Sequence, residues 1–88
     1  MNVDFTPSGW RDMYYWIEND KKMSEKITKL IKDITRKKHT GLGHPEPLKG
    51  NLSGWWSRHI DDKHRLIYRI IDDNIIQITQ CKNHYNDK

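Results

Sequence analysis

Residues 55–81, WWSRHIDDKHRLIYRIIDDNIIQITQC, decide the architecture. They divide into three runs rich in β-branched and aromatic residues, 55–60, 65–71 and 75–81, separated by Asp61-Asp62-Lys63 and Asp72-Asp73-Asn74. Such runs fit a pleated, half-buried surface, and short polar separators fit turns, so three antiparallel strands joined by two hairpins are predicted. Alternation in the middle run sets Leu66, Tyr68 and Ile70 on one face and Arg65, Ile67 and Arg69 on the other. The first set suits packing against helices. Arg65 and Arg69 then project from an open face where a polyanion could lie, although arginines that only blunt a solvent-facing sheet give the same pattern.

Upstream, the stretch from Thr40 to Lys49 holds Gly41, Gly43, Pro45 and Pro47, which forbid a continued helix or a central strand and predict a structured loop. Before it, Trp10, Met13, Tyr14 and Ile17 recur at helical spacing. Beyond a break at Asn19-Asp20 the period resumes with Met23, Ile27, Leu30, Ile31 and Ile34, so two amphipathic helices joined as a tight hairpin are expected. Thr6-Pro7 supplies an N-cap and a proline at the first helical position. Val3 and Phe5 alternate with polar neighbours as a short strand. The whole chain, 1–88, therefore reads as one α+β domain: an N-terminal strand, a two-helix hairpin, then an antiparallel β-meander.

An 88-residue chain supports one modest core. Sixteen Lys and Arg against twelve Asp and Glu give a net charge of +4, which favours polyanionic partners through counterion release. Cys81 is the single cysteine, so an intramolecular disulfide is excluded and a reducing cytoplasm is the simpler expectation. The N-terminal MNVDFTPSGW lacks the pattern of a secretory leader, and no run of apolar residues suits a membrane span.

Metal-free RNA cleavage needs a base for the 2′-hydroxyl proton, cations for the phosphorane and an acid for the leaving 5′-oxygen. Glu46, held between two prolines, is a candidate base, although an ordinary loop glutamate reads the same. Lys49, Arg58, Arg65 and Arg69 are candidate cations, and Trp55, Trp56 and Tyr85 could stack on bases. Adjacent tryptophans on a strand face opposite ways, and periodicity does not decide which is core. His84 and Tyr85 follow the last strand, as either site residues or a plain tail. His39, His44, His59, His64, His84 and Cys81 match no zinc spacing, and Cys81 lacks a partner base, so neither a metal nor another cofactor is expected.

The segments IKDITRKKHTGLGHPEPLKGNLSGWWSRHI (31–60), DDKHRLIYRIIDD (61–73) and CKNHY (81–85) resemble the YoeB branch of the RelE/ParE toxin superfamily, and the match runs from about Phe5 to Tyr85. The most specific part corresponds to the family's G-x-P-E-P-L-K-x-N-L-x-G-x-[WY]-S-R pattern. The resemblance implies a microbial-ribonuclease-like RelE/YoeB fold and mRNA cleavage in the A site of the bacterial 70S ribosome. By the same resemblance Glu46 is the general base, His84 the general acid, Arg65 the phosphate-stabilising cation, and Tyr85 a positioning or stacking residue. Lys49 and Arg58 match further basic positions, and His59, Arg69 and Trp56 complete the expected RNA-binding set.

A YefM-type antitoxin is implied as partner, covering the basic site and carrying the pair to operator DNA, where the toxin acts as corepressor. A toxin homodimer is implied as well. Two departures stand out: relatives often have arginine where this chain has His59, and many end at the His-Tyr pair, whereas Asn86, Asp87 and Lys88 follow here. The alternatives are a ParE-like gyrase inhibitor, against which the joint presence of Glu46, Arg65 and His84 argues, and a non-catalytic ribosome- or RNA-binding module.

Overall fold

In the computed structural model, residues 1–83 are described. They form β1 (Asn2–Phe5), α1 (Pro7–Asn19), α2 (Lys21–Lys37), β2 (Glu46–Pro47), β3 (Trp56–His59), β4 (Arg65–Ile71) and β5 (Ile75–Gln80), with one 3-10 turn at Gly50–Leu52. The sheet order is β1-β5-β4-β3-β2. β1 runs parallel to β5, and the remaining neighbours are antiparallel. The strand, helical hairpin and meander thus follow the expected α+β order. The expected loop contributes one extra edge, because Pro47 can sit where no ladder N–H is needed.

Local chemistry accounts for the boundaries. Thr6 caps α1 by accepting the Gly9 N–H at 3.1 Å. Asp20 serves both helices: its N–H donates to the Trp16 carbonyl at 2.8 Å, and its carboxylate accepts from the Met23 N–H at 3.3 Å. The β4–β5 hairpin turns at Asp72 and Asp73, whose φ values of 52° and 58° suit a type I′ turn.

The core lies between the helical hairpin and one face of the sheet, with Met13, Trp16, Met23, Ile27, Leu30, Ile34, Leu66, Tyr68, Ile76 and Ile78 at its centre. On α2 the buried stripe follows the expected period. On α1 it does not: Trp10, Tyr14 and Ile17 are exposed, whereas Gly9, Met13 and Trp16 are buried. Gly9 explains the rotation. A Cβ there would meet the Ile78 carbonyl oxygen at 2.2 Å, so α1 rests directly on the β5 backbone along its least bulky line. Ser8 fastens the contact by donating to the Thr79 carbonyl at 2.8 Å, beside the bulge that interrupts the β4–β5 register near Ile67/Tyr68.

Candidate active site

Cross-strand partners share a face, so the register sorts the expected site residues. On the face opposite the helices, Glu46 stands beside Ser57, Ser57 beside Ile67, and Ile67 beside Gln80, while His59 stands beside Arg65 and Arg69 beside Gln77. Two strands apart and two residues displaced, Glu46 and Arg65 have Cα atoms about 12 Å apart, a span that a carboxylate and a guanidinium can close on one phosphodiester. Glu46 is exposed, whereas its neighbours Ser57 and Ile67 on the adjoining strands are buried. Leu48 reinforces that edge, its N–H bonded to the Trp55 carbonyl at 2.9 Å.

Two cations on this face are oriented by neighbours. Arg69 lies over the Trp55 ring, 4.5 Å from its centroid, and donates to the Gln77 amide oxygen at 2.8 Å. Arg65 uses one guanidinium nitrogen on the Asp61 carbonyl at 2.8 Å and, more weakly, on the Asp62 and His64 carbonyls at 3.3 and 3.2 Å. Those bonds tie it to the β3–β4 turn. Burial alone would raise the Asp61 carboxyl, but the His64 and Lys63 N–H groups, with nearby positive charge, hold it below its ordinary value and so keep the turn in shape. Lys49 is exposed at the start of the 3-10 turn, and His59 packs at 5.4 Å against His44.

Two expected RNA-binding residues are elsewhere. Arg58 stands opposite Leu66 and so points under the helices, where it is fully buried. It forms an ion pair with Asp33 at 2.7 Å and donates to the Leu42, Lys38 and Thr40 carbonyls at 3.0, 3.0 and 2.7 Å. A guanidinium with five donors suits this junction, because it closes the carbonyl-rich end of α2 and the loop after it. Trp56, beside Tyr68, belongs to the same inner face and stacks on His39 with ring centroids 4.2 Å apart. Trp55, not Trp56, is therefore the tryptophan on the open face. Residue type shows charge or ring but not strand register, so the inward positions of Arg58 and Trp56 were not legible from the sequence.

His84 and Tyr85, with the tail beyond them, lie outside the described residues. The residue before them is firmly held. The Arg65 N–H donates to the Asn83 carbonyl at 3.0 Å, and the Gln80 amide donates to the same carbonyl at 3.1 Å. Two surface hollows sit away from the centre of this face. One of about 520 Å³ runs between lysine stems of α2, including Lys22, Lys26 and Lys29; another of about 200 Å³ links Lys26 and Lys29 to His59. The first is a groove between solvated side chains, lined by four lysines with Glu25 and Thr28.

Residues 5–85 match the family model described as YoeB-like toxin of bacterial type II toxin-antitoxin system. The chain is 51% identical over 85 residues to toxin YoeB of Streptomyces coelicolor, covering 97% of this chain and 100% of that protein. Its fold superimposes on a YoeB/ParE toxin from Agrobacterium tumefaciens with a TM-score of 0.92 at 42% identity, over 97% of this chain and 100% of that one. A YoeB dimer from Staphylococcus aureus gives a TM-score of 0.89 at 48% identity, covering 97% and 98% of the two chains. A heterotetrameric YoeB-YefM complex from the same organism gives 0.89 at 46% identity, with the same coverage.

Proposed function

Because this chain belongs to the YoeB-like toxins of bacterial type II toxin-antitoxin systems, we propose that it is a ribosome-dependent endoribonuclease that cuts mRNA in the A site and so blocks translation. The observation that carries the reading is the open sheet face, on which Glu46, Arg65 and Arg69 share one side and Asn83 is bonded to the Arg65 backbone. His84 follows Asn83 directly in the chain.

Glu46 takes the 2′-hydroxyl proton, and the oxygen attacks the adjacent phosphorus. Arg65 stabilises the charge that accumulates on the phosphorane oxygens. His84 gives its proton to the departing 5′-oxygen as the P–O5′ bond breaks. The first products are a 2′,3′-cyclic phosphate and a 5′-hydroxyl; water can open the former to a 3′-phosphate. These side chains supply base, acid and cation among themselves, so the scheme needs no metal. Tyr85 positions or stacks on the substrate, Lys49, His59 and Arg69 meet its phosphates, and Trp55 offers a base-stacking surface beside Arg69.

By likeness to the relatives solved as a dimer and with YefM, the chain self-associates and is neutralised by a YefM-type antitoxin, whose acidic or backbone groups cover the basic face. Operator DNA is reached only through that complex. Among the described residues no helix is long and apolar enough to cross a membrane, and a ribosomal substrate places the action in the bacterial cytoplasm.

Primer extension on a defined mRNA held in purified ribosomes tests the reading. A new 5′ end at the A-site codon is expected, and His84→Ala should lower its rate by on the order of 10²–10⁴ while ribosome binding persists. Arrest of translation without any cut would overturn the nuclease and favour inhibition by binding.

A further inference from the structure

The histidine at the β3–β4 turn has a bonding pattern that an incidental surface residue would lack. His64 Nδ1 accepts the Asn83 N–H at 2.7 Å. The Asn83 carbonyl meanwhile receives the Arg65 N–H at 3.0 Å, so the two backbone groups of Asn83 are gripped by consecutive residues of the turn and β4. Asn83 has φ of 66°, a left-handed conformation that sharply redirects the chain at the residue before His84.

His64 is itself immobilised. Its ring stands edge-on to Trp16 at 4.9 Å, and the Trp16 indole N–H donates to the Cys81 carbonyl at 2.8 Å. Its own N–H donates to the Asp61 carboxylate at 2.7 Å, and its carbonyl accepts from the Ile60 N–H at 2.9 Å. The ring is thus held by α1 and by the chain after β5, and the His64 backbone by the turn.

We infer that His64 is a positioning residue for the proposed reaction: its Nδ1 fixes Asn83, the residue to which the general acid His84 is joined in the chain. The proposal rests on the nuclease reading. It predicts that the acceptor atom at the Nδ1 position matters, and not the imidazole as a titrating group. An asparagine at 64 places its amide oxygen close to that atom, whereas glutamine moves its oxygen one bond further out and leucine has no acceptor.

Single-turnover cleavage of ribosome-held mRNA by the full chain, together with hydrogen exchange of the Asn83 amide, tests it in His64→Asn, His64→Gln and His64→Leu. His64→Asn should keep the Asn83 amide protected and the maximal cleavage rate within about threefold. His64→Gln and His64→Leu should lose that protection and at least tenfold in maximal rate, with half-saturation by ribosomes shifted by less than about twofold. Should His64→Leu not fold, His64→Gln decides. Unchanged rates in an unprotected variant, or equal losses in all three, would overturn the positioning role. If the parent protein makes no cut, the nuclease reading fails and this inference falls with it; protection of Asn83 in the parent would then show the clamp without its use.

Discussion

At the scale of single residues, Arg58 shows how far chemical type and location can separate. Its charge is neutralised inside the molecule, so its loss should affect folding more than RNA contact. The Asp33 carboxyl is held below its ordinary value first by the Leu42 N–H and then by the Arg58 guanidinium, against the opposing effect of burial. Arg58→Met would leave that carboxylate buried with Lys37, 4.0 Å away and about half exposed, as its remaining ion-pair partner among the described residues. A loss of about 3–5 kcal/mol in urea denaturation is expected, the usual cost of breaking one half of a buried pair. Asp33→Asn combined with Arg58→Met should cost less than the sum of the two single changes. Additive losses would show that the two residues act independently. Gly41 is drawn into the same junction: its φ of 104° and the Asp33 oxygen 2.1 Å from where a Cβ would lie leave no room for a side chain.

At the scale of elements, the seating of α1 on β5 depends on Gly9. Alanine is the better helix former by about 1 kcal/mol, yet its Cβ would collide with the Ile78 backbone, which cannot swing aside as a flexible side chain would. Gly9→Ala should therefore destabilise by about 1–3 kcal/mol in spite of the propensity gain, measured as a lower thermal midpoint. A rise in the midpoint would mean that α1 shifts outward at little cost. The same contact explains why the spacing of the large apolar residues of α1 does not mark its buried face. Trp10, Tyr14 and Ile17 have the right spacing, but the smallest residue chose the buried line. The α2 stripe, the three strands and both hairpins were legible because each rests on local periodicity and turn chemistry. Which of Trp55 and Trp56 faces inward, and that Arg58 does too, depends on the β3–β4 register. That register is set by the Asp61 carboxylate binding the Lys63 and His64 N–H groups, a contact with no periodic signature. The open-face positions of Arg65 and Arg69 followed from strand alternation alone. The expected roles of His84 and Tyr85 came from family likeness.

At the scale of the whole molecule, the Arg58 junction makes stability depend on pH through the buried Asp33 carboxyl and the exposed His39 ring, which respond in the same direction. Burial, then the charges of Arg58 and Lys38, lower the His39 pKa below its ordinary 6.5. In the unfolded chain His39 binds a proton as pH falls through that value, while the folded protein still resists it. The stabilising contribution is therefore complete above pH 6.5 and declines as pH falls towards the folded pKa. Asp33 acts lower on the scale. With its folded pKa depressed below 3.8, its contribution is intact above that value and is lost as pH drops through the folded pKa, when the carboxylate paired with Arg58 becomes protonated. Urea unfolding across pH 7.5 to 3 should thus show a first decline beginning near pH 6.5 and a further one near and below pH 4. His39→Gln should flatten the first while retaining the second, because glutamine does not titrate and the Asp33–Arg58 pair remains. Arg58→Met should weaken both, since the same guanidinium depresses the pKa of His39 and of Asp33. A first decline unaltered by His39→Gln would assign it to another histidine and separate the Trp56–His39 stack from the Arg58 junction.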